Sequence, residues 1–366
     1  MIEATLIALT ALSAVILLLQ HWQHPAWWVR GWDFPRLQIA IVMVLVLIAE
    51  LILLPFTSAW HFVLTAITLV CLVAQLWWIL PYTRLWPYEV KAAARDPRKP
   101  RIRVMAANVL TPNRQAERLL ELVRLHRPDV LVALETDRWW ESHLDHLTEQ
   151  YPYSIRCPQD NLYGMHVYSR LPLEEVQTRF LVEDDVPSMH ARLRVNDQLG
   201  VRMHFLHPRP PSPTENDEST ERDVELLVVA KSTEDDADQP IIVAGDLNDV
   251  AWSPTTRLFR KISCLLDPRV GRGMFNTFHA QHWFLRWPLD HFFHSRHFQV
   301  VEIVRLPEFG SDHFPVLIEL QYEHNETDEQ QGLQADPDEQ RDVRNRLASE
   351  GVKPADVPEP SPQPKA

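Results

Sequence analysis

The chain has 366 residues, with 36 Lys and Arg against 49 Asp and Glu and a formal net charge of −13. That length admits one large domain with additions, or two domains. The acidic balance speaks against a general nucleic-acid binder, because polyanion binding wants a basic face. Cys71 lies in an apolar run, and Cys157 and Cys264 are far apart and fit no metal-ligand spacing. All three read as free structural thiols.

The first element in chain order is an anchor. Residues 4–19 are almost wholly apolar, residues 37–56 are broken only by Gln38 and Glu50, and residues 62–80 carry one Gln75. As a helix, each approaches the roughly 30 Å hydrocarbon core of a bilayer. The first lacks a basic leading region and a small-residue cleavage site, so a retained helix is expected rather than a signal peptide. Trp22, Trp27, Trp28 and Trp32 lie between the first two stretches, and Trp77, Trp78, Tyr82 and Trp86 near the end of the third. That is the interfacial belt of membrane spans. An acid within a span, here Glu50, is a functional candidate by default, although its place near a helix end lets it reach the interface.

Lys and Arg set the expected orientation. The first loop holds Arg30 and Arg36, and a basic linker after the third span holds Arg84, Lys91, Arg95, Arg98, Lys99, Arg101 and Arg103. With three spans these share a side, and the positive-inside rule makes it cytoplasmic. Residues 1–82 are thus the anchor and 83–103 the linker.

From Ile102 the pattern changes. "IRVMAANVL" reads as a buried strand, "RQAERLLELVRLHRPD" as an amphipathic helix ending near Pro128, and "VLVALE" as a second strand. "GMHVYSR", "HARLRV", "VRMHFLH", "IIVAGDLN", "LDHFFHS", "QVVEIVRL" and "PVLIELQY" are further strand candidates, with a helical stretch over residues 219–231. Many strands with few helices predict an α+β layered domain over residues 104–322. That domain holds 33 acids and 22 bases, a net −11. Residues 323–366 hold 11 acids, 5 bases and six prolines, which predicts a disordered acidic tail.

The polar residues of the domain fall at strand ends. Asn108 and Glu135 end the first two strands, His207 ends "VRMHFLH", and Asp246 and Asn248 end "IIVA". Asp290 opens "LDHFF", and Asp312 and His313 precede "FPVLIEL". If those ends meet, they form one acidic site with two histidines. Carboxylates and amides are hard oxygen ligands, suited to Mg²⁺ or Mn²⁺ rather than zinc. A divalent ion, a carboxylate base and a histidine together serve phosphoester hydrolysis.

In these motifs the sequence resembles the endonuclease/exonuclease/phosphatase superfamily, with its DNase-I-like fold. The resemblance covers residues 101–322 and rests on "AANVL", "VLVALET", "YGMHVYSR", "FLHPRPP", "VAGDLND", "RWPLDHFF" and "GSDHFPV" in that order. It implies a four-layer sandwich of two packed β-sheets flanked by helices. It further implies that Glu135, aided by Asn108 and Asp312, binds Mg²⁺ or Mn²⁺. Asp246 would align or deprotonate the attacking water, and Asn248 would hold a phosphate oxygen. His313, oriented by Asp290, would stabilise the developing charge or protonate the leaving group, and His207 would contact the phosphate. Arg209 is a further candidate for a substrate phosphate. No acid follows Asn108 closely, so one metal centred on Glu135 is expected. His291 follows Asp290, where Tyr or Arg often sits in the superfamily, and is expected to meet the phosphate or to pack.

The expected activity is that of a membrane-anchored hydrolase of a phosphomonoester, phosphodiester or pyrophosphate, with membrane lipids as partners and no protein partner indicated. Resemblance to three-helix lipid-pyrophosphate phosphatases points to a lipid phosphate and a periplasmic site, against the cytoplasmic side that the charge rule gives. A nuclease and a non-catalytic membrane-anchored binding module are the alternatives.

Overall fold

The computed structural model describes residues 1–94, 96, 98–234, 239–323 and 330–360. Three helices are long and apolar enough to cross a membrane: α1 (Ile2–His21), α3 (Arg36–Leu53) and the helix that begins α4 (Ala59–Ile79) and runs on to Tyr82. The short α2 (Trp27–Arg30) lies in the first loop. Their apolar side chains outside the contacts between them stay exposed, as on Leu45 and Val70. Polar groups face inward instead. Glu50 is fully buried and accepts hydrogen bonds from Thr10 Oγ1 (3.0 Å) and Thr68 Oγ1 (2.9 Å). It therefore ties all three helices together and does not reach the interface.

The strand candidates all form strands. One sheet has the order β10–β11–β1–β2–β4–β3, built from β1 (Arg101–Asn108), β2 (Val130–Leu134), β3 (Tyr153–Cys157), β4 (Met165–Ser169), β10 (Phe298–Arg305) and β11 (Val316–Tyr322). The other has the order β5–β6–β7–β8–β9, built from β5 (Leu173–Arg179), β6 (Ser188–Arg194), β7 (Gly200–Leu206), β8 (Ile241–Asp246) and β9 (Asp290–His294). The two sheets face each other across one apolar core. Val104, Val132 and Val167 meet Met203, Phe205 and Ile242 there.

Helices cover both outer faces. α5 (Ala116–His126) and α6 (Arg138–Leu144) pack on the first sheet through Leu119, Leu120 and Trp140. α7 (Thr220–Glu234) and α8 (Pro254–Ser263) pack on the second through Leu227 and Phe259. The four layers match the expected DNase-I-like sandwich. The α5 helix stops where expected, with Arg127 in the left-handed region ahead of Pro128.

The tail departs from expectation. Residues 330–360 are ordered, and residues 324–329 and 361–366 lie outside the described residues. A ninth helix, α9 (Pro337–Ser349), starts at a capping box between Asp336 and Glu339. Val343, Leu347, Val352 and Val357 join the core around α7. Four apolar residues spread over 15 positions are too few to lift the composition above that of a disordered segment, yet they all meet one surface. Leu347→Ala is expected to destabilise the full-length protein by about 2–5 kcal/mol. Chemical unfolding in detergent followed by circular dichroism measures this.

The domain sits directly on the loop between α1 and α3. Trp27 N donates to Asp217 O (2.9 Å), Ser219 N to Pro25 O (2.9 Å) and Trp252 Nε1 to Asp33 O (2.8 Å). At the end of the third helix, Tyr82 Oη donates to Ala251 O (2.6 Å). Val250, Ala251 and Trp252 join the apolar cluster of the membrane helices.

Candidate active site

Strand direction gathers the site. The β1 and β2 strands are parallel, with Asn108 beside Leu134, so Asn108 and Glu135 leave the first sheet at one edge. The β7 and β8 strands are also parallel, with Leu206 beside Gly245, which brings His207 and Asp246 to one edge of the second sheet. Antiparallel β9 starts there, with Asp290 paired to Asp246. Antiparallel β11 starts beside the end of β1, which delivers the preceding Asp312 and His313.

Local backbone chemistry fixes the ends. A Cβ on Gly245 would lie 1.9 Å from Leu206 O, so only glycine lets β8 approach β7 this closely. Glu135 and Asn248 both sit at positive φ, 60° and 50°. A non-glycine residue there is strained by about 1–3 kcal/mol and marks a constraint imposed by the surroundings. Thr111 Oγ1 pins the turn by donating to Glu135 O (2.7 Å).

The side chains form one connected centre. Asn108 Nδ2 donates to Glu135 Oε1 (2.7 Å) and to Asp246 Oδ2 (3.1 Å), while its oxygen accepts from Leu110 N (3.0 Å). The amide nitrogen thus bridges two acids. Asp246 Oδ2 lies 3.5 Å from His313 Nε2 and 4.0 Å from His207 Nε2. His313 Nδ1 is 2.8 Å from Asp290 Oδ2. Ser311 Oγ accepts from His313 N (3.0 Å) and donates to Asn108 O (2.8 Å), which clamps that turn to β1. Asn248 N donates to Asp246 Oδ1 (2.9 Å), and Asn248 Nδ2 to Pro208 O (3.0 Å). Asp312 is half-exposed beside the centre.

Burial shapes the charges. It pushes the Glu135 carboxyl up to about 8, against the hydrogen bond from Asn108 and the charge of His313. Asp246 is also pushed up by burial, with His313 opposing. Burial disfavours a charged His313, but Asp290 and then Asp246 outweigh it and raise the imidazole to about 10. His207 falls to about 3 through burial and the nearby charge of His313, so it is neutral.

A hard divalent ion fits these residues. Glu135 Oε2 is buried and has no hydrogen-bond partner among the described residues. Glu135 and Asp312 offer oxygen donors of the kind Mg²⁺ and Mn²⁺ take. Asp246, Asp290 and His313 also bring one ligand atom each within 4.8 Å of one another. Asp290 Oδ1 is likewise buried without a hydrogen-bond partner among the described residues, so both groups offer an oxygen to a cation.

Arg209 and His291 both have partners within the protein. The Arg209 guanidinium is taken by Glu183 (3.0 Å), Asp185 (2.8 Å) and Glu215 (3.9 Å) and stacks over Tyr163, so it holds the loop rather than facing a phosphate. His291 is buried between Arg269 Nη2 (2.7 Å) and Asp249 O (2.9 Å), so it packs.

A buried ion network behind the site escaped sequence reasoning. Arg222 Nη1 donates to Asn248 O (2.8 Å), and its guanidinium pairs with Asp223 (2.8 Å) and Asp249 (3.5 Å). Asp223 in turn meets Arg30 of the first membrane loop (3.9 Å). The one signal was a pair of opposite charges inside an otherwise apolar helical run.

Residues 105–313 match the Endonuclease/Exonuclease/phosphatase family. The chain belongs to that family. A family protein from Bacteroides thetaiotaomicron has the same fold at 18% identity and a TM-score of 0.51, covering 62% of this chain and 99% of its own. The human Nocturnin catalytic domain, solved with a bound sulfate anion, aligns at 17% identity and a TM-score of 0.50, covering 61% and 95%. No curated protein matches the chain. Both structural likenesses are of fold.

The raised carboxyls carry a linkage prediction. Glu135 goes from 4.5 to about 8 on folding, so its contribution to stability is complete below pH 4.5 and lost as pH rises through about 8. Metal-free protein should therefore lose thermal stability between pH 5 and pH 8, and Mn²⁺ should restore more of it at the higher pH. Thermal melts with EDTA or Mn²⁺ check this, and Glu135→Gln should flatten the difference.

Proposed function

We propose that the protein is a membrane-anchored, Mg²⁺- or Mn²⁺-dependent phosphoesterase that hydrolyses a phosphoester or pyrophosphate carried on a lipid. The observation that carries this reading is the geometry around Asp246. Its carboxylate lies between the Asn108–Glu135 pair and a histidine already held by Asp290.

The residues divide the work. Asp246 orients a water and takes its proton as the oxygen attacks phosphorus. His313, kept protonated by Asp290, stabilises the charge on the phosphoryl oxygens or gives its proton to the leaving oxygen. Neutral His207 and the second N–H of Asn248 donate to phosphate oxygens. Glu135, with Asp312, holds the divalent cation, which offsets phosphate charge and acts as a Lewis acid when bound. Asn108 keeps Glu135 and Asp246 in register.

The lipid assignment rests on two supports. The domain is docked against helices suited to a bilayer, so its centre works near head groups. Its net −11 disfavours tight binding to a nucleic-acid backbone. The first loop and the domain touch and so share one side, and the basic linker makes the cytoplasmic side the reading we favour.

Detergent-solubilised full-length protein tests this against a polyprenyl pyrophosphate, phosphoinositides, plasmid DNA and single-stranded DNA, with Mg²⁺, Mn²⁺ or EDTA. Metal-dependent turnover of a lipid is expected. His313→Ala should lower kcat roughly 10²–10⁴-fold with little change in KM. Cleavage of DNA alone would replace the lipid reading with a nuclease. No turnover of any substrate would favour a binding module.

A further inference from the structure

One segment of the catalytic domain carries an apolar tip that the active-site chemistry does not use. Residues 278–287 form a hairpin closed by Phe278 and Trp287, with Thr277 N and Phe278 N both donating to Trp287 O (2.9 and 3.0 Å). At the tip, Trp283 is 80% exposed, Phe284 54% and Leu285 37%. Three adjacent large apolar side chains in water are unfavourable, and such patches mark an interaction surface.

The position of the hairpin names the partner. Trp287 meets Phe34 edge to face, with ring centroids 5.7 Å apart, just before α3 begins. Gln38 Nε2, on the third residue of α3, donates to Phe284 O (2.9 Å). The tip therefore stands level with the first turn of a spanning helix, where a bilayer has its interface. The outward side chains of α3 just beyond, Ile41, Val42 and Leu45, are themselves exposed and apolar. The tip continues that surface. It has no acidic residue between positions 279 and 286, whereas His279, His282 and Arg286 lie there. Aromatic residues beside a cation, here Arg286, suit the head-group region.

The root of the same hairpin is part of the site. Phe278 bridges to His313 through the backbone, and their rings are 5.0 Å apart. Thr277 Oγ1 accepts from the amide of Asp290 (3.2 Å).

We propose that the tip formed by Trp283, Phe284 and Leu285 inserts into the bilayer interface beside α3 and seats the His313–Asp246 centre at the head groups. The proposal rests on the reading that the three helices cross a membrane. It does not depend on which phosphoester is cleaved.

Site-directed spin labelling of the full chain in phosphatidylcholine–phosphatidylglycerol vesicles tests it. The background carries Cys71→Ala, Cys157→Ser and Cys264→Ser, and single labels are placed by Trp283→Cys, Phe284→Cys, Leu45→Cys and Glu149→Cys. Positions 283 and 284 should resemble position 45, with collisions from oxygen exceeding those from a water-soluble nickel chelate. Position 149, exposed between α6 and β3, should show the reverse. An aqueous signature at both 283 and 284 with a lipid signature at 45 would overturn the tip's insertion and leave the anchor intact. An aqueous signature at 45 as well would overturn the membrane reading itself.

Discussion

The constraint on which the structure turns is the burial of Asp246 and Asp290, with half-buried Glu135 beside them, at one edge of two packed sheets. Carboxylates held together out of water repel each other and lose hydration; His313 supplies an opposing charge, and Asn108 and Asn248 supply hydrogen bonds. Such a cluster persists only where the fold forces it. The forcing is visible in the glycine contact at Gly245 and in the left-handed backbone at Glu135. An incompleteness is visible in the Glu135 oxygen that has no hydrogen-bond partner among the described residues. Phosphoester hydrolysis is the chemistry for which this imbalance is useful, because the substrate is an anion and arrives with a need for positive charge.

The same constraint explains the joint with the membrane helices. The loop after β8 must hold Asn248 at positive φ and keep Asp249 buried. Arg222 does this by gripping the Asn248 carbonyl and the Asp249 carboxylate together. Its own partner Asp223 is shared with Arg30, and Trp252 at the end of the loop is tied to Asp33. The anchor is thus wired into the wall of the active site. Removing it would leave Asp223, buried and acidic, without one of its cations, and breaking a buried pair in this way is costly.

Much of this was legible from residue order. Strand ends bearing Asn108, Glu135, His207, Asp246, Asp290 and His313 were visible as apolar runs closing on a polar residue, and the family motifs ordered them. Parallel and antiparallel pairing then had to bring them together, which no single run states. The β3 and β5 strands escaped notice because they sit at sheet edges with mixed polar faces. The α9 helix escaped because its apolar residues are sparse and matter only against the surface of α7. The roles of Arg209 and His291 stayed open in the sequence for a related reason. Their chemistry suits phosphate, but their partners come from distant segments, Glu183 and Asp185 for one and Arg269 and Asp249 for the other. Charge type is local in sequence, and charge compensation is not.

The central claim is that the buried acid centre is completed by a divalent cation on Glu135. Isothermal titration of Mn²⁺ into the full-length protein in detergent, wild type beside Glu135→Gln, tests it most directly. The account predicts one site in the wild type that is lost in the variant. Binding of equal affinity in Glu135→Gln, or no binding in the wild type, would contradict it.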